Sequence, residues 1–177
     1  MSVSDEDLFA SLRARMDKSE GQAGAPPPLG PDEVGADMMG PNDVVDYLMR
    51  SLVHNEDPAP DNGFKTLMGF SVAHDDGLKE DTLGQVQPGC FQSPEALRTF
   101  LLENERYDSL GGLEEWKTMG NPEMSMMSKN AAQKLLVRKD GSNWKSMFIN
   151  MKLGEATVGE KTVPRWLVVS IYMSGQQ

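Results

Sequence analysis

In this 177-residue chain the groups best suited to chemistry are His54, the run His74-Asp75-Asp76-Gly77, and Cys90. His74 beside two carboxylates offers an acid/base pair or a metal cluster. Adjacent polar residues ahead of a glycine also make a turn, and the turn is the reading adopted. His54 falls where an amphipathic helix must end, suited to the exposed carbonyls there. Cys90 has no histidine near it in sequence to take its proton. As the single cysteine it excludes an intramolecular disulfide and a cysteine-rich zinc site. The strand-like segments contribute Lys134, Arg138, Lys145, Lys152 and Arg165 but no carboxylate in their central portions, and no Gly-rich phosphate loop is present. No catalytic, cofactor-binding or metal-binding residue is therefore assigned, and the chain reads as a non-enzyme.

The elements that must position any site are clearest in the last third. Residues 131–138 and 143–151 flank Asp140-Gly141, and an Asp-Gly pair between two β-like runs predicts a hairpin. Period-two alternation puts Met147, Ile149 and Met151 on one face and Trp144, Ser146 and Phe148 on the other. A looser connection then leads to Pro164 and a final strand from Arg165 to Met173. A first, short strand is expected around Glu115–Thr118. Trp116, Trp144 and Trp166 fall one per strand and suggest an aromatic cluster across the sheet.

Ahead of the sheet the spacing turns helical. Val44, Val45, Leu48, Met49, Leu52 and Val53 follow Pro41 at amphipathic intervals, predicting a helix of about fourteen residues. A second helix is expected from Gly63 to Ser71, and a third from the Ser93-Pro94 start to about Asn104. The stretch 72–92 reads as a long irregular segment, of the kind used as a lid, insertion or contact loop. Tyr107, Leu110 and Leu113 are expected to pack in a turn around Gly111-Gly112. Helices first and antiparallel strands after define an α+β domain over 41–177. Residues 1–40 read as an N-terminal arm: a short amphipathic helix at 4–18, with Leu8, Phe9, Leu12 and Met16 in one stripe, then a Pro/Gly-rich linker.

Charge is divided along the chain. Residues 1–63 hold 13 acidic and 4 basic side chains, residues 64–116 hold 10 and 4, and residues 117–177 hold 4 and 9, within a total of -10. An acidic front and a mildly basic sheet argue against nucleic acid as the main partner. No apolar run approaches the ~20 residues of a membrane span. Asp5, Glu6 and Asp7 suit neither a signal peptide nor a transit peptide. Read as the native start they imply the cytoplasm; read as a processed end they leave room for an organelle. The thirteen methionines, Met38-Met39 and Met124, Met126 and Met127 among them, suit core filling or an adaptable interface.

The helix 41–54, the loop Asn55-Glu56-Asp57-Pro58 and the run 63–71 resemble the nuclear transport factor 2-like proteins of plants and algae, close to a bacterial domain family of unknown function. The helix Phe91–Leu102 leading to Tyr107, the Asp-Gly-Ser-Asn-Trp hairpin and the Trp-Leu-Val-Val strand extend the likeness over about 40–173. The resemblance implies helices held in the concavity of a curved, cone-forming antiparallel sheet. Its members range from enzymes working inside the cone to pure binding modules. A plastid setting follows from the resemblance alone, as a peripheral stromal subunit of a photosynthetic complex.

The function expected is an accessory subunit that docks onto a larger assembly through its arm and sheet face, without a cofactor. Leu8, Phe9, Leu12, Met16, Met38, Met39, Trp144 and Trp166 are the expected partner-binding residues. The competing readings are a small-molecule site or isomerase/dehydratase in the cone pocket, and a homodimeric scaffold. Peripheral association with a membrane complex fits the first reading.

Overall fold

A computed structural model describes residues 40–174 apart from 58, 74–78, 82, 126 and 159. The expected arm helix, the linker, Leu8, Phe9, Leu12, Met16, Met38 and Met39 lie outside the described residues, as does the His74-Asp75-Asp76 run.

The first helix, α1 (Pro41–Val53), starts with proline in its first turn and the Gly40 N–H bonded to the Asp43 carboxylate at 3.0 Å. It ends at His54, whose own N–H still reaches the Arg50 carbonyl. Asn55 then folds the chain back: its carbonyl accepts from the Asn62 N–H at 2.8 Å, and its side chain accepts from the Phe64 N–H at 3.2 Å. That return delivers α2 (Asn62–Gly69) against α1 at very close range. A methyl at Gly63 would stand 2.3 Å from the Ser51 carbonyl oxygen, so the two backbones meet only because glycine has no side chain. Two further helices follow, α3 (Pro94–Glu103), capped by the Ser93 hydroxyl on the Ala96 N–H, and the single turn α4 (Asp108–Gly111).

The sheet is antiparallel and five-stranded: β1 (Glu115–Thr118), β2 (Glu123–Met124), β3 (Asn130–Arg138), β4 (Lys145–Val158) and β5 (Lys161–Met173). Its order is β1-β3-β4-β5, with β2 beside β1 on the same edge of β3. It curls into a half-barrel around the helices, an α+β architecture. Asn150 pairs with Ser170 while Met151 pairs with Val168, leaving Val169 as the extra residue of a bulge. A bulge bends its strand and raises the local twist, which favours the curl.

The alternation read in the sequence holds. Met147, Ile149 and Met151 are buried on the helix-packed inner face, opposite Leu135, Gln133 and Ala131 of β3. Burying each such side chain stabilises the fold by about 1.5–3 kcal/mol. The core continues through Val45, Leu48, Phe64, Leu67, Leu101, Tyr107, Trp116 and Val168.

Two parts differ from expectation. The connection after Met151 is strand, not loop: β4 and β5 pair as far as Val158 with Lys161. Pro164 lies inside β5 opposite Glu155. There β5 is an edge, which is where a sheet tolerates a residue with no N–H to donate. The described part of 72–92 is also more ordered than its composition suggests. Ser71 and Val86 form bridges to Val168 and Ile171 of β5, and Pro88–Cys90 makes a 3-10 turn.

Candidate functional site: the outer face of the sheet

The side of the sheet away from the helices carries an ordered pattern of rings and cations. Register places Lys134, Phe148 and Tyr172 in one row across β3, β4 and β5. The Phe148 and Tyr172 ring centroids are 6.5 Å apart. Lys134 Nζ lies 5.7 Å from the Phe148 ring, and the Arg106 guanidinium 5.9 Å from the Tyr172 ring. The row thus reads cation, ring, ring, cation.

Trp144 stands on the same side, just ahead of β4. Its ring is approached by Lys117 at 4.8 Å and by Arg138 at 4.5 Å. Such contacts fall within the range where a cation is drawn to the negative face of a ring. Arg138 also donates to both Glu115 carboxylate oxygens at 2.7 Å. Beside the aromatic row, Asn150 donates to the Ser170 hydroxyl at 3.1 Å, and Ser170 to Gln85 at 2.8 Å. The small Ala132 leaves a shallow trough of about 390 Å³ over Asn150 and Val169, with Glu123 on its rim. On this face of an acidic protein Arg106, Lys117, Lys134, Arg138 and Lys152 outnumber Glu115, Glu123 and Glu80, the last of which lies near Arg106.

The three tryptophans do not cluster. Trp116 and Trp166 are 3% and 7% exposed and belong to the core, whereas Trp144 is 36% exposed on the outer face. Trp166 therefore stands with the packed interior, apart from Trp144. The strand cations separate too. Lys145 turns to the Asp108 carboxylate at 2.7 Å and to the Glu105 carbonyl at 2.8 Å, and Arg165 lies 4.0 Å from the Phe70 ring centroid. Lys134, Arg138 and Lys152 remain on the outer side. Met124 and Met127 are exposed, so these two methionines of the cluster before β3 are surface residues.

The inner side has a different character. The Tyr107 hydroxyl, deep in the concavity, directs its proton to the Gly84 and Ile171 carbonyls. Burial pushes its pKa up, which outweighs the lowering from a backbone hydrogen bond and Arg106. A phenol so engaged is a poor acid or base for a substrate. Cys90 donates to the Gln87 side chain at 3.3 Å, and burial raises its pKa, which disfavours the thiolate. His54 lines a surface groove of about 440 Å³ with Asn55, Asp57 and Glu114, and makes no salt bridge with a described carboxylate. Arg98 in that groove is held by Glu56 at 3.2 Å and Asp61 at 3.1 Å. Among the described residues no group of three His, Cys, Asp or Glu side chains is placed to hold a metal ion.

Sequence reasoning missed Asp108. Its carboxylate joins the end of β3, through Lys139, to the start of β4, through Lys145. Burial opposes its charge, but the hydrogen bonds and charges of those two lysines outweigh it and hold the pKa below the ordinary value. This cluster ties the helical layer to the hairpin.

No known protein family, curated protein or solved structure matches the chain. No helix among the described residues is long and apolar enough to cross a membrane.

Proposed function

We propose that this domain is a non-catalytic docking module of a larger assembly, and that it engages an acidic protein surface through the outer face of its sheet. The observation that carries the reading is the row Lys134–Phe148–Tyr172–Arg106, with Trp144, Lys117 and Arg138 beside it. Aromatic rings with a cationic rim are what interfaces use as anchors, and positive potential steers an acidic partner into register. Met147, Phe64, Tyr107 and Trp116 pack the described inner side of the sheet, and this favours the same reading over a ligand site there.

A two-fold dimer through this face is disfavoured, because it would bring together two surfaces on which cations outnumber carboxylates. The curled antiparallel sheet packed on helices is compatible with the nuclear transport factor 2-like cone that the sequence resembles. From that resemblance alone, the setting proposed is the plastid stroma, with the domain a peripheral subunit of a photosynthetic complex, the cytoplasm being the alternative.

The test is recovery of a stoichiometric complex by the full chain and by Lys117→Glu/Lys134→Glu. Recovery by the wild type and its loss in the variant is the expected result. Equal recovery by both overturns the reading. So does tight, steeply salt-dependent binding of a single-stranded oligonucleotide through the same lysines.

A further inference from the structure

We propose that a second copy of this chain supplies an acidic surface for the outer face, with Trp144 of one copy seated in the groove beside His54 of another. The proposal rests on the docking reading above and names a partner for it.

Three observations converge. Trp144 is the one exposed aromatic ring among the described residues, and it stands at the rim of the outer face between Lys117 and Arg138. Held by those cations, the indole is a knob ordered in advance, of the residue type enriched among interface anchors.

The groove has the complementary shape. It encloses about 440 Å³, with Leu52, Val53 and Leu113 as apolar walls and bare backbone at Gly111-Gly112, where a flat ring can lie close. Trp144 is not among the residues that line its own groove, so the fit is made between copies.

Charge is the third observation. Glu56, Asp57 and Glu114 line the groove with Arg98 as its single Lys or Arg side chain. Helix α1 ends there at Val53 and adds the negative end of its dipole. Lys117 and Arg138, against the one carboxylate of Glu115, bring the opposite sign with the ring. Asp57, Glu114 and Lys117 make no salt bridge among the described residues, which leaves them for this contact. The indole N–H needs an acceptor once it is buried, and the two free carboxylates supply one. A basic rim thus meets an acidic groove, whereas stacking two outer faces would set like charges together.

The experiment uses the full chain. A contact of one ring and two cations belongs with small, transient interfaces, so self-association in sedimentation velocity is expected at about 100 μM and not at about 1 μM. Trp144→Ala removes the knob, and Asp57→Lys/Glu114→Lys reverses the groove, all at exposed positions. Each variant alone is expected to stay monomeric at the higher concentration, as is Lys117→Glu, a second variant on the knob side. Mixed, Trp144→Ala and Asp57→Lys/Glu114→Lys are expected to form a 1:1 pair, since the first keeps the groove and the second keeps the knob. Tryptophan emission of the mixture should shift to the blue of the sum of its parts.

A wild type that stays monomeric, variants that associate as it does, or a mixture that remains two monomers would each overturn the proposal. The two readings fail separately. A monomeric wild type whose capture of another protein is lost in Lys117→Glu/Lys134→Glu sinks the self-contact and leaves docking intact. A 1:1 pair in the mixture, with capture unchanged by that lysine reversal, sinks docking onto another protein and leaves the self-contact standing.

Discussion

Tyr107 lies 3.2 Å from the Ile171 carbonyl oxygen through its hydroxyl, tying the turn after α3 to the last strand of the sheet. The same hydroxyl is directed to the Gly84 carbonyl, so one side chain joins the helical layer, the loop before Val86 and β5. A single proton serves two acceptors, the Ile171 carbonyl in a buried place and the Gly84 carbonyl in a half-buried one.

Removing that hydroxyl is expected to cost about 1–2 kcal/mol in Tyr107→Phe, read by urea unfolding. A pH effect accompanies it. Burial raises the Tyr107 pKa above its ordinary value of 10.0, so the folded state favours the neutral phenol. This contribution is intact below pH 10 and is lost as pH rises through the folded pKa. The wild type is therefore expected to lose stability in alkali, and Tyr107→Phe to lose less. Parallel alkaline profiles would refute the assignment.

Asp108 gives the opposite dependence. Burial opposes its charge, but Lys139 and Lys145 lower its pKa below 3.8, and that stabilisation is present above the ordinary value and lost as pH falls through the folded one. Asp108→Asn is expected to cost about 1–3 kcal/mol at neutral pH and to flatten the acid limb of the stability profile. Chemical denaturation between pH 2 and 7 measures both.

Gly63 and Gly69, both in α2, should respond with opposite signs to alanine. At Gly63 the added methyl meets the Ser51 carbonyl, while at Gly69 it meets nothing within 4 Å. Gly63→Ala is expected to cost more than about 2 kcal/mol or to prevent folding. Gly69→Ala should gain about 0.4–1 kcal/mol by restricting the unfolded chain. Thermal melts of the two variants decide the matter.

Methionines split by face in the same way. Met147 is fully buried and Met124 is 44% exposed. Truncation to alanine is expected to cost about 2–5 kcal/mol at the first and under about 0.5 kcal/mol at the second. Equal losses would mean that the inner face is not the packed core described here.

How much of this was legible in the sequence depended on the range of the interaction. The helix Pro41–Val53, the Ser93 cap and the two faces of β4 follow from neighbours within a few positions, and the structure has them where spacing puts them. The outer face was half legible, since Trp144 and Phe148 share a parity along β4 while Tyr172 joins them only through pairing with β5.

The lengths of β4 and β5 were hidden by Pro164, which read as the end of a looser connection but sits inside an extended ribbon with an open edge. The Asp108 clamp was invisible because its lysines lie 31 and 37 residues away and nothing local requires them. The burial of Arg165 against Phe70 was likewise a matter of how the sheet curls, which no short pattern encodes.

The outward edge of β5 has a further consequence. Val72 donates to Val168 at 2.9 Å, Val168 to Phe70 at 2.7 Å, and Val86 and Ile171 exchange hydrogen bonds at 2.8 Å. These short bridges occupy an edge that would otherwise offer its peptide groups to a strand from another molecule. Detaching them would turn the last strand into a template for intermolecular strand exchange. The last strand is thus shielded at Val168 and Ile171 by two brief bridges, and nicking the chain between 73 and 86 is expected to increase self-association.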